Sequence, residues 1–312
     1  MLNDTNPGQI SDIEASSGAQ RDNKLAWLAA VTSALTLALV GLGSTVRVTN
    51  SGMGCPSWPL CYDQLGPIYH LHPILEESHR YLASIVSVLV IATYLLARRS
   101  KDSIATKKPA LLSLGLVILQ VLLGGLTVLA KNAPWTVTVH LIVGLIFLSV
   151  TVITAVVAFS GKAEYPLSSL SKKWGAAALA STLILLLSGS IVVAAGAGAA
   201  CPTWPVCFDP GPTRLIYVAL AHRFFATVAA ASIIVLVAHG WSAGTKTWRA
   251  WSVVLLLLLA GVASLGAASA LTKSSPFWAD IHLIAAGTLW VVLTAEVTAA
   301  REQPKSTHGQ PG

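Results

Sequence analysis

Charge is what this chain has least of. Only 11% of its 312 residues are Asp, Glu, Lys or Arg, against roughly 25% in soluble domains. That shortage, with 54% hydrophobic residues and a mean hydropathy of +0.69, excludes an ordinary soluble domain. Residues 1–24 lack any apolar stretch, which excludes a cleavable signal peptide and predicts a disordered polar tail; residues 300–312 read the same way and include His308. Cysteine is also scarce. The chain has four, and spends them all on one heptad written twice, CPSWPLC at 55–61 and CPTWPVC at 201–207.

Long apolar runs are abundant. Eight are long enough to cross a bilayer core of roughly 30 Å: 25–46, 78–97, 109–130, 136–159, 174–195, 217–239, 250–271 and 278–299. In lipid, runs of this length satisfy their backbone only as helices. The expected fold class is therefore all-α, a polytopic cell-membrane protein in contact with lipid. The net charge of +7 belongs to loops and not to a nucleic-acid partner. Arg98, Arg99, Lys101, Lys107 and Lys108 follow the second run, Lys162, Lys172 and Lys173 the fourth, and Lys246 and Arg249 the sixth. The alternate loops hold only Arg47, Lys131, Arg214 and Lys273. The excess of positive charge predicts cytoplasmic N- and C-termini and extracytoplasmic cysteine loops.

The heptads are the clearest part of a longer repeat. LGSTVRVTNSGMGCPSWPLC (42–61) matches SGSIVVAAGAGAACPTWPVC (188–207), and SHRYLASIVSVLVIA (78–92) matches AHRFFATVAAASIIV (221–235). VTVHLIVGLIFLSV (137–150) matches WADIHLIAAGTLWVV (278–292) on the shared HLI. The chain thus reads as two tandem four-helix units, 25–160 and 173–299. An even helix count per unit gives both the same orientation, with a pseudo-twofold axis along the membrane normal.

Four histidines follow the repeat. His79 corresponds to His222 and His140 to His282, while His70, His72, His239 and His308 have no counterpart. Each unit places one imidazole near the outer start of its second helix and one near that of its fourth. Those helices run the same way, so the two rings can meet across a bundle core at one depth, as the axial ligands of a haem require. A non-haem metal would find few other helix ligands beyond Glu76 and Glu77. Arg80 and Arg223 directly follow two of the histidines and suit haem propionates or, alternatively, lipid headgroups. Glu76 stands three residues before His79, on its helical face, where the second unit has Ala219. A carboxylate beside one pocket only suggests proton handling there and plain electron transfer in the other, unless Glu76 belongs to a solvated loop. Each cysteine loop reads as a disulfide staple or as a redox-active pair. A zinc site usually has closer cysteines.

Together, the tandem repeat, E-x-x-H-R at Glu76–Arg80, the second His-Arg at His222, the HLI histidines and the paired CPxWPxC loops resemble the haem A synthase family over residues 25–299. The resemblance implies oxidation of the haem O methyl group to a formyl group through hydroxylated intermediates. It implies a substrate haem O held in the N-terminal unit by His79 and His140, with Glu76 essential, and a resident haem b held in the C-terminal unit by His222 and His282. It implies a functionally important Cys55–Cys61 pair and a structural Cys201–Cys207 disulfide. Expected partners are a haem O synthase, an electron donor or acceptor such as a quinone, terminal oxidases as recipients, and a further copy of the chain. Rival readings are a di-haem membrane cytochrome b, an extracytoplasmic thiol–disulfide oxidoreductase and a transporter. The first leaves Glu76 without a role, the second leaves the histidines without one, and the third lacks broken helices with midplane charge.

Overall fold

The computed structural model describes residues 23–64, 69–100, 104–160, 165–167, 169–208, 213–243 and 246–302. Most of the two polar tails, His308 and several of the loop lysines lie outside them. Eight helices carry the chain: α1 (Asn23–Val48), α2 (Leu71–Arg99), α3 (Ile104–Leu129), α4 (Pro134–Ser160), α5 (Ser169–Ala194), α6 (Thr213–Ala243), α7 (Lys246–Leu271) and α8 (Pro276–Ala299). All eight are long and apolar enough to cross a membrane. Two three-residue strands, β1 (Tyr165–Leu167) and β2 (Ala300–Glu302), pair in parallel beside the loop after α4.

The interior is built for lipid surroundings. Large apolar side chains point outward, among them Ile85, Val88 and Leu95 on α2 and Leu111, Ile118 and Leu122 on α3. Small and hydroxyl residues point inward, among them Ala29, Thr32, Ser33, Thr36, Thr151 and Thr154. Lipid tails are as apolar as leucine, so close backbone approach, not apolar burial, drives the packing. These hydroxyls cost little because each finds a carbonyl on its own helix, as Thr36 does at Thr32 (2.7 Å) and Thr154 at Val150 (2.7 Å).

Helices α1–α4 pack in a ring, α1 against α2 and α4, and α3 against α2 and α4; α5–α8 do the same among themselves. The rings meet through α1, α4, α5 and α8. Leu145, Leu148, Val152 and Trp290 form a buried cluster at that seam. Three polar contacts cross it: Trp290 Nε1–H donates to the Leu145 carbonyl (3.1 Å), Thr45 to Asp280 (2.8 Å) and Ser190 to Thr138 (3.1 Å). The third helix of each ring ends on two left-handed residues, Lys131–Asn132 and Lys273–Ser274, and the fourth begins at a proline, Pro134 and Pro276.

The second helix begins at Leu71, seven residues before the apolar run from which it was predicted. Its first turns carry His72, Glu76 and Glu77 ahead of that run and His79 and Arg80 at its start; both glutamates are buried, His79 and Arg80 half-buried and His72 exposed.

Candidate functional site

Four glycines shape the histidine sites. Each lies on the helix preceding its histidine's own. A β-carbon at Gly43 on α1 would stand 3.0 Å from His79 Cε1, and one at Gly189 on α5 would stand 3.2 Å from His222 Cε1. The corresponding distances are 3.5 Å from Gly124 on α3 to His140 and 2.9 Å from Gly266 on α7 to His282. Each imidazole therefore lies in a notch left by a missing side chain. These glycines occupy matching places in the sequence, Gly43 with Gly189 and Gly124 with Gly266, a signal that could have found them but that sequence reasoning passed over.

The rings are brought together in pairs. His79 interacts electrostatically with His140, and His222 with His282. Among the described residues no three His, Cys, Asp or Glu side chains gather in metal-binding geometry. Two imidazoles alone leave most of a metal's coordination open, and paired imidazoles suit the axial positions of a haem, whose porphyrin would supply the other donors.

The imidazole nitrogens say more. His282 Nδ1 lies 3.1 Å from the Val262 carbonyl, which can only accept, so the ring proton sits on Nδ1 and Nε2 keeps its lone pair. His222 Nδ1 lies 2.8 Å from Ser188 Oγ, and that hydroxyl donates its own proton to the Leu185 carbonyl (2.7 Å). Nδ1 of His222 must therefore be the donor, and Nε2 is again free to ligate. In the first ring the buried Nδ1 atoms of His79 and His140 have no hydrogen-bond partner. Gln120, which corresponds to Val262, donates its side-chain amide to the His140 backbone carbonyl (3.0 Å) and leaves its own Oε1 buried and unpartnered.

Glu76 is a buried helical residue, not a solvated loop residue. One carboxylate oxygen accepts the Cys55 backbone N–H (2.8 Å) and the other accepts Arg80 Nη2 (2.6 Å). Arg80 also donates to the Cys55 (3.0 Å), Ser57 (2.8 Å), Pro59 (3.3 Å) and Leu60 (3.2 Å) carbonyls. Arg223 holds the second loop alone, through the Cys201 (2.8 Å) and Pro205 (3.0 Å) carbonyls, because Ala219 offers no acid. Both arginines thus serve as loop anchors, a role that sequence reasoning missed. Glu77 is buried as well and accepts the Tyr81 hydroxyl (2.8 Å).

Cys55 is bonded to Cys61 and Cys201 to Cys207, so each heptad closes on itself. Trp58 of the first loop reaches across to α3, where a β-carbon at Gly125 would meet its ring at 3.0 Å. The loops therefore cap the ends of the rings where the histidines lie. His72 is tied to Ser51 (2.9 Å) and lines an outer cavity beside the first cysteine loop with His70, Met53 and Tyr62, and His239 stacks on Trp174, so neither belongs to a histidine pair.

The protein-family model described as cytochrome oxidase assembly protein, COX15-CtaA, matches residues 26–77 and 69–294. The chain belongs to that family. Among curated relatives, the protein named Heme A synthase of Geobacillus kaustophilus is 30% identical over 293 residues, 86% of this chain and 89% of its own. Its namesake from Geobacillus thermodenitrificans is 26% identical over 310 residues, 92% and 95% of the two chains. A Heme A synthase of Bacillus cereus is 30% identical over 283 residues, 86% and 90%. Both histidine pairs, both cysteine loops and Glu76 lie within the region matched by the cytochrome oxidase assembly family.

Proposed function

We propose that this protein is a haem A synthase, an oxidoreductase that converts the methyl group of haem O to a formyl group through hydroxylated intermediates. The observation that carries the reading is the asymmetry between two otherwise matched pockets. Both have paired imidazoles in glycine notches, but only the first has a buried carboxylate one turn before its second-helix histidine, Glu76 before His79, where the other has Ala219 before His222.

In this reading α1–α4 form the substrate domain, where His79 and His140 bind haem O, and α5–α8 hold a resident haem b through His222 and His282. Haem supplies the one-electron and oxygen chemistry that no amino-acid side chain can offer to a methyl C–H bond. The protein orients the substrate, excludes water and manages charge. The first cysteine loop lies over the substrate pocket, held by Arg80 and by the Cys55 N–H bond to Glu76. Glu76 accepts a proton from the reacting carbon's substituent or stabilises positive charge there. Arg80 and Arg223, oriented by the loop carbonyls, would supply positive charge for the propionates of a bound haem. The positive-inside charge pattern sets both cysteine loops on the extracytoplasmic side, where disulfides persist. The electron partner is a membrane quinone or protein, and the substrate comes from a haem O synthase.

Acid–acetone extraction of protein co-expressed with a haem O synthase tests this. Haem b together with haem A or its hydroxylated precursor is the expected result. Haem b alone, with haem O accumulating in the membranes, would make the protein a plain di-haem cytochrome. Glu76→Gln keeps an oxygen for the Cys55 N–H. It should retain haem b and stop formyl formation, so normal haem A yield from that variant overturns the role of the carboxylate.

A further inference from the structure

The two imidazole pairs differ in what holds their far nitrogens. Both C-terminal rings are anchored at Nδ1, His222 by Ser188 and His282 by the Val262 carbonyl. Neither N-terminal ring is, although both Nδ1 atoms are buried. The sequence difference behind this is small. Ser188 stands where the first repeat has Leu42. The Leu39 carbonyl stands to His79 as its counterpart Leu185 stands to His222, so what sets the two rings apart is the Ser188 hydroxyl.

We propose that Ser188 is a positioning residue that marks the C-terminal pocket as the permanent haem site, and that the absence of its counterpart at Leu42 leaves the N-terminal pocket able to exchange its haem. The inference rests on the reading of the C-terminal pocket as the haem b site. The physical argument has three parts. Ser188 Oγ has one proton, committed to the Leu185 carbonyl, so it can only accept from His222 Nδ1–H. That fixes the tautomer and the ring rotation, so Nε2 is aimed into the bundle before any iron arrives. A ring anchored beforehand loses little freedom on ligation and donates more electron density, which strengthens its bond to ferric iron. A substrate pocket has the opposite need. It must take in one haem and give up its product, and rings that are free to turn about the Cβ–Cγ bond release iron more readily.

The test uses the full-length protein in detergent, as wild type, Ser188→Ala, Ser188→Thr and Leu42→Ser. Transfer of haem to excess apomyoglobin reports retention, and spectroelectrochemistry reports the midpoint potential of haem b. Ser188→Ala should lose haem b roughly tenfold faster or more, the usual cost of removing a second-layer hydrogen bond from a metal ligand. Its midpoint should also rise, because the less electron-rich imidazole stabilises ferric iron less. Ser188→Thr keeps a hydroxyl and should match the wild type in both. Leu42→Ser supplies the missing acceptor to His79 and should slow transfer of haem O or haem A from the N-terminal pocket by a similar factor, with haem b unaffected. Unchanged retention and potential in Ser188→Ala overturn the inference. If that variant does not fold, an unchanged N-terminal transfer rate in Leu42→Ser overturns it. A wild-type protein without bis-histidine haem b would instead overturn the functional reading itself.

Discussion

At the scale of single residues, the site is made as much by missing atoms as by present ones. Four glycines leave notches in which four imidazoles lie, and at Gly266 an added β-carbon would stand 2.9 Å from the His282 ring. That is closer than real β-carbons approach, and helix backbone cannot retreat. Gly266→Val should therefore tilt the ring off its axis. A displacement costing only about 1.4 kcal/mol already weakens ligation about tenfold. The haem b content per purified protein, measured as pyridine haemochrome, should fall by at least that factor while the chain still inserts. Full occupancy in Gly266→Val would show that the notch is incidental. Histidine type and spacing were legible in the sequence, and so was the absence of a second glutamate at Ala219. The glycine partners were present in the repeat as well, but a glycine in a membrane helix has many uses, and only the neighbouring ring shows which one applies.

At the scale of elements, the decisive piece is the junction between the first cysteine loop and the start of α2. Hydropathy began that helix too late, because its first two turns break their apolar residues with His72, Glu76 and Glu77. The burial of these turns depends on contacts with residues about 20 positions away in sequence, such as the Cys55 N–H on Glu76 and the Cys55 carbonyl on Arg80. Gly54 makes the docking possible: a β-carbon there would stand 2.4 Å from the His72 backbone carbon, which cannot give way as a side chain would. Gly54→Ala should lift the loop from α2 and break the Cys55–Glu76 bond. Misplacement of about 1 Å near reacting groups costs on the order of 100-fold in rate. Haem A yield should drop by about that much in extracts, with haem b content unchanged. The second loop has Ala200 at this place and no acid beneath it, so Ala200→Gly should leave the yield where it was. Equal losses from both substitutions would mean that the loops act alike and that Glu76 does not set them apart.

At the scale of the whole molecule, the two rings are joined along α1, α4, α5 and α8, with Trp290 at the centre of the seam. Its ring is buried and its N–H reaches the Leu145 carbonyl on the other ring. Truncation to Ala leaves a cavity and removes that hydrogen bond across the seam. Trp290→Ala should lower stability by roughly 3 kcal/mol, the lower end for a buried tryptophan. The change should appear as a lower denaturant midpoint in detergent and as weaker retention of haem in both pockets. Loss from one pocket alone would argue that the rings do not depend on each other.

The sequence by itself determined the class of fold and the inventory of the site. Apolar runs near 20 residues long have one stable form in lipid, and a repeat that carries two histidines per copy places those histidines on equivalent helices. Composition and periodicity are local properties, so they survive without coordinates. Only the tertiary structure decided which glycine each imidazole faces, that Arg80 and Arg223 anchor the cysteine loops, that Glu76 is buried beneath Cys55, and that one pair of rings is anchored at Nδ1 while the other is not. These facts depend on which helix faces mate and on angles that bring together atoms about 15 to 40 residues apart. No local pattern encodes such a distance, and here the difference between the pockets rests on single positions, Ser188 against Leu42 and Glu76 against Ala219.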